Sequence, residues 1–140
     1  MINGKLYSEI LDEFQKAENK SQRIEILRKY DHPRFREFLQ LILNTNIEFD
    51  VPIPNYRPAI EPAGLNYTYL ESEVPKLYRF IKNHPKRAPG LTPQKQSSLL
   101  TAILESLYHE EAEILVQVLT KKYKISHLTN KLIEETFLGK

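Results

Sequence analysis

Pro52, Pro54, Pro58 and Pro62 do most to constrain what this chain can fold into. A proline ring fixes its own φ and removes a backbone N–H, so neither a helix nor a central strand passes through that stretch. Yet Ile47, Phe49, Val51, Ile53, Tyr56, Ile60, Leu65, Tyr67 and Tyr69 lie among the prolines, too much apolar surface for a disordered linker. The pattern predicts an ordered, extended segment over residues 45–73 that wraps the rest of the protein, with a short hairpin near Ala63-Gly64. Irregular segments of this length are uncommon and often functional, though a structural strap explains the pattern equally well.

Both flanks show helical periodicity. Leu6, Ile10, Leu11 and Phe14 share one helix face over about residues 5–17. Ser21 is placed to cap a second helix carrying Ile24, Leu27 and Tyr30, which stops before Pro33. A third helix runs over 33–44 with Phe35, Phe38, Leu39, Ile42 and Leu43 inward and proline in its first turn. Beyond the extended segment, Leu77, Phe80 and Ile81 predict a fourth helix over 74–83. Thr92-Pro93 opens a fifth, His109 stands at the start of a sixth over 111–121, and residues 130–137 close the chain as a seventh. The expected fold is all-α: a compact bundle of six to seven short helices in one domain, 1–140. It divides into helices 1–44, the extended part 45–73 and a basic helical part 74–140.

Composition excludes several classes. The chain has 140 residues, 41% hydrophobic and 27% charged, which fits a globular domain. Without cysteine it has neither disulfides nor cysteine zinc sites. Met1–Lys5 lacks the apolar core of a secretory signal, and no apolar run approaches a membrane span, so a cytoplasmic location is expected. His32, His84, His109 and His127 form no metal-ligating pair. Lys29-Tyr30-Asp31 imitates the start of the K-x-D-G nucleotidyltransferase motif, but His32 and Pro33 replace its glycine. No phosphate-cradling glycine loop or nucleophile elbow is present. Glu110, Glu111 and Glu113 read as carboxylates complementing a helix start. No catalytic residue, metal, cofactor or small-molecule substrate is expected.

The cations are the remaining signal. Residues 1–75 carry 9 Lys/Arg against 12 Asp/Glu, and residues 76–140 carry 11 against 6. Two clusters account for the excess. Lys76, Arg79, Lys82, Lys86, Arg87 and Lys95 lie in a stretch with no acidic residue from 74 to 104; Lys76, Arg79 and Lys82 recur every three residues on one helix face. Lys121, Lys122, Lys124 and Lys131 lie between Glu113 and Glu134 with no acid among them. Cations gathered at helix junctions, with helix-start amides after Thr92 and Thr129, suit phosphate contact. Lacking a ladder of stacking aromatics, the pattern favours duplex over single strands. Lysines at helix ends also serve solubility alone.

The order of features resembles the all-helical N-terminal DNA-binding domain of ATP-dependent DNA ligases from large tailed phages. The similarity lies in Ile10-Leu11-Asp12-Glu13, Ser21–Leu27, Arg87 with Leu91-Thr92 before a leucine-rich helix, and the ending Ala112–Val118, Leu128–Ile133 and Phe137-Leu138-Gly139. The chain is also similar to small uncharacterised phage proteins that end in Leu-Thr-x-x-Leu-Ile-x-Glu-x-Phe. The resemblance implies a duplex-binding fold, non-catalytic here because the nucleotidyltransferase part is lacking. It implies action in the cytoplasm of an infected bacterial cell. Expected contacts with double-stranded DNA are Arg79, Lys82, Lys86, Arg87, Thr92, Lys95, Lys121, Lys122, Lys124 and Lys131. The competing expectation is a module that binds a host or phage protein through the acidic N-terminal half and the aromatic segment Phe49–Tyr69.

Overall fold

The computed structural model describes residues 1–138. Its elements are α1 (Tyr7–Gln15), α2 (Lys20–Lys29), α3 (Pro33–Leu43), α4 (Leu70–Glu73) running into a 3-10 helix (Val74–Phe80), α5 (Pro93–Ser106), α6 (His109–Leu119) and α7 (Asn130–Phe137). No helix among the described residues is long and apolar enough to cross a membrane.

The helix ends follow local chemistry. The chain enters through a tight turn at Asn3-Gly4, both with positive φ, closed by Ile2 and Lys5 exchanging backbone bonds. Asn19, rather than Ser21, caps α2, its side chain accepting from Gln22 N–H at 2.9 Å. Pro33 sits in the first turn of α3 and Pro93 in that of α5, where Thr92 caps the helix by accepting from Lys95 N–H at 3.2 Å. The expected α-helix over 74–83 is instead a 3-10 helix that ends at Phe80, and the single α-turn Leu70–Glu73 precedes it. Val74, Leu77 and Phe80 are its buried residues. Their spacing of three is the 3-10 period, so a 3-10 helix buries all three on one line.

One hydrophobic cluster draws on every α-helix and on the 3-10 segment. Tyr7 is a buried member of it, its ring edge-on to Phe35 at 5.0 Å and tilted against Phe38 at 5.1 Å. Leu70, Leu77, Phe80, Leu100, Leu104, Leu107 and Leu115 are fully buried in the same cluster. Glu111 is a fully buried carboxylate among them. Its carboxylate accepts from the N–H of Tyr7 at 2.9 Å and of Leu70 at 3.1 Å, the first residues of α1 and α4. One side chain of α6 thus satisfies orphan donors of two other helices. Burial pushes the Glu111 carboxyl above the ordinary carboxylate value, against the pull of the N–H donors.

The proline-rich stretch is an extended strap. Asp50 N–H donates to Phe80 O at 3.0 Å, Arg57 N–H to the Glu105 carboxylate at 2.8 Å, and Thr68 N–H to Ser106 O at 3.2 Å. In place of the expected hairpin, Pro62–Leu65 is a β-turn without flanking strands. Leu65 N–H bonds Pro62 O, and Gly64 takes φ +90°, the geometry that calls for glycine at the third position.

Candidate nucleic-acid interface

The first cluster is partly neutralised by the strap. Arg87, half-buried, pairs with Asp50 and donates to Ile81 O at 3.1 Å. Lys82 faces Glu48 at 3.9 Å, and a backbone bridge joins Phe49 to Ile81 between them. Lys82 lies beyond the 3-10 helix, so it does not share a helix face with Lys76 and Arg79. The Arg79 side chain folds back to donate to Lys76 O at 3.0 Å. Thr92 has its hydroxyl oxygen engaged as the α5 cap. Lys76, Lys86 and Lys95 remain exposed and form no ion pair among the described residues.

In the second cluster Lys121 stands apart. It follows α6 with φ +57°. Its N–H bonds Val118 O, and Lys122 N–H bonds Gln117 O at 2.8 Å, the paired bonds of a Schellman motif whose left-handed position usually holds glycine. The Lys121 ammonium donates to Leu41 O and Asn44 O, each at 3.2 Å, and lies 5.2 Å from the Phe49 ring centroid. It therefore caps the C-terminus of α3 from another element, and burial holds its pKa below the ordinary lysine value. The same end of α3 receives the Asn130 amide on Leu43 O at 3.4 Å. A groove of about 520 Å3 opens here, walled by Ile42, Leu43, Ile47, Val118, Ile125 and Leu128, with Glu48, Lys121 and Lys124 also lining it. Lys122, Lys124 and Lys131 are exposed, with no ion pair among the described residues.

Arg87 and Lys121, singled out as phosphate contacts, thus hold the fold together through groups 37 and 80 residues away. The structure also gathers cations that the charge pattern passes over. Lys20 and Arg23, from the first turn of α2, line a second cleft with His127, Thr129 and Lys131. A signal for them existed: both are basic residues in a helix start with no acid, the wrong sign for the positive end of the dipole. On the opposite chemistry, Asp12, Glu110 and Glu113 line a groove between α1 and α6 with no cation in its wall. Among the described residues no three acidic or histidine side chains are grouped to hold a metal ion.

Among the described residues, seven short α-helices around one core, an irregular strap and a cation-rich turn between the last two helices define an all-α domain with an uneven charge distribution. The chain belongs to the family of unknown function DUF6433, whose model matches residues 10–125. That match ends inside the basic turn, at Ile125. None of the curated proteins and none of the solved structures gives a significant match.

Proposed function

We propose that this protein is a non-catalytic binder of double-stranded DNA that grips phosphates from helix junctions. The observation that carries the reading is the turn after α6. Lys122 and Lys124, with Lys131 in the first turn of α7, project there without an ion pair among the described residues. Lysines so placed release counterions from a polyanion without first breaking internal ion pairs. Lys86 and Lys95 supply a second exposed group. The resemblance to the N-terminal domain of phage ATP-dependent DNA ligases supports the same reading. It points to sequence-independent tethering during phage replication or repair, in the cytoplasm of the infected cell.

Fluorescence anisotropy with a labelled duplex across a salt series tests this. Micromolar-range affinity at low salt is expected, with log affinity falling by roughly 0.9 per phosphate neutralised against log salt. Lys122→Glu with Lys124→Glu should flatten that slope. No binding by the wild type at low salt overturns the reading.

A second reading has its own observation. Ile60, Leu65 and Tyr67 of the strap are 96%, 71% and 87% exposed, and apolar groups held in water on an ordered segment suit a protein partner. On that reading the strap binds a host or phage protein, together with the acidic N-terminal half. Ile60→Ser with Tyr67→Ser should then abolish partner capture and leave duplex affinity unchanged.

A further inference from the structure

The cleft between α2 and α7 has an electrostatic imbalance that an anion would resolve. It measures about 360 Å3 and is lined by Lys20, Arg23, His127, Thr129, Lys131, Leu132 and Glu135. The fixed charges in its wall are three cations against one carboxylate. Glu135 is paired with Lys20, and the Lys20 bond followed by the Lys131 field holds its carboxyl below the ordinary value. Arg23, His127 and Lys131 form no ion pair with any described residue.

The placement of these cations is itself unfavourable. Lys20 is the first residue of α2 and Arg23 the fourth; Lys131 is the second residue of α7. Neither helix has an acid in its first turn. Positive side chains here stand against the positive ends of two helix dipoles, where carboxylates are the stabilising choice. Thr129 adds a donor. Its hydroxyl oxygen accepts from Leu132 N–H at 3.1 Å as the α7 cap, and its own O–H has no acceptor among the described residues.

We propose that this cleft seats a phosphoryl group, held by Arg23, Lys131 and His127 with the Thr129 hydroxyl. Arg23 is suited to the bidentate contact and Lys131 to the point charge. The phosphoryl group comes either from the backbone of a bound duplex or from a free phosphate compound. Assignment to a duplex rests on the function proposed above; the seat itself does not. It adds Lys20 and Arg23 to the cationic surface, extending it from the α6–α7 turn onto α2.

The test uses the full chain and two probes. In the first arm, backbone amide NMR follows titration with pyrophosphate. Shifts confined to residues 19–23 and 127–132, and lost in Arg23→Ala with Lys131→Ala, support the seat. Shifts of equal size over all lysine-rich surfaces, or unchanged in the double variant, overturn it. In the second arm, duplex anisotropy is repeated with that variant. A salt slope shallower by about one to two units, for two phosphate contacts removed, places the duplex backbone in the cleft. Duplex binding with an unchanged slope overturns the duplex as the source, and failure of both arms overturns the seat. Pyrophosphate binding without any duplex binding upholds the seat, assigns it to a free phosphate compound and refutes the DNA reading alone. Thermal melting of the variant checks that the fold survives. Arg23→Lys with Lys131→Arg, which keeps the charge, should restore most of the slope.

Discussion

Lys121 allows a test in which two substitutions at one position should differ in the size of their effect. The residue sits at φ +57° in the left-handed position of a Schellman motif. A side chain there costs about 1 kcal/mol relative to glycine. The Lys121 ammonium offsets that cost through two bonds of 3.2 Å to the carbonyls of Leu41 and Asn44. Each partly exposed bond of this kind contributes about 0.5–1.5 kcal/mol net, toward the lower end here because burial penalises the charged amine. Lys121→Met keeps the strain and loses both bonds, so it should destabilise by about 1–2 kcal/mol. Lys121→Gly loses the same bonds and relieves the strain, so it should stay within about 1 kcal/mol of wild type. Urea unfolding followed by circular dichroism measures both, since a shift in midpoint at constant slope reports stability directly. If the methionine variant is as stable as the glycine variant or more so, the account of this residue as strained but capping is wrong.

Two further outcomes follow from the core and the strap. Glu111→Ala leaves the N–H groups of Tyr7 and Leu70 buried without acceptors and should cost about 2–5 kcal/mol in urea unfolding. Because burial raises the Glu111 carboxyl, the folded state holds its proton more tightly than the unfolded chain. Its contribution is therefore full below the ordinary glutamate value and declines as pH rises through the raised one. The gap between wild type and Glu111→Ala should accordingly be wider at pH 4 than at pH 7, and a gap that widens with pH would contradict this. Gly64→Ala places a side chain at φ +90°, where open space does not relieve the backbone strain. It should lower the melting temperature by a few degrees, about 1 kcal/mol.

Much of the fold was legible because helices announce themselves locally. The stripe Leu6–Phe14, the prolines of the first turns and the threonine caps each lie within one or two turns of the residues they organise. The strap was legible for the same reason, since each proline acts on its own backbone. The 3-10 helix was misread as an α-helix although Val74, Leu77 and Phe80 carry its period, because Ile81 extends the pattern to an α-like one. The candidate interface was less legible. Charge runs show where cations are dense, but not which of them the fold engages. Arg87 and Lys121 look like their neighbours until Asp50 and the end of α3 are placed beside them.

The sequence by itself determined an all-helical chain interrupted by an extended strap, with its net positive charge confined to the part after residue 75. Those features depend on dihedral limits, apolar periodicity and composition, all short-range. Only the tertiary structure decided that Glu111 joins three helices, that Lys121 caps α3, and that Lys20 and Arg23 meet His127 and Lys131 across a cleft. Those pairings span 41 to 104 residues for Glu111 and 77 to 80 for Lys121, and the cleft draws on residues from 20 to 135. Electrostatic partners at such separations are set by how the core packs, because that packing determines which side chains meet and which remain in water.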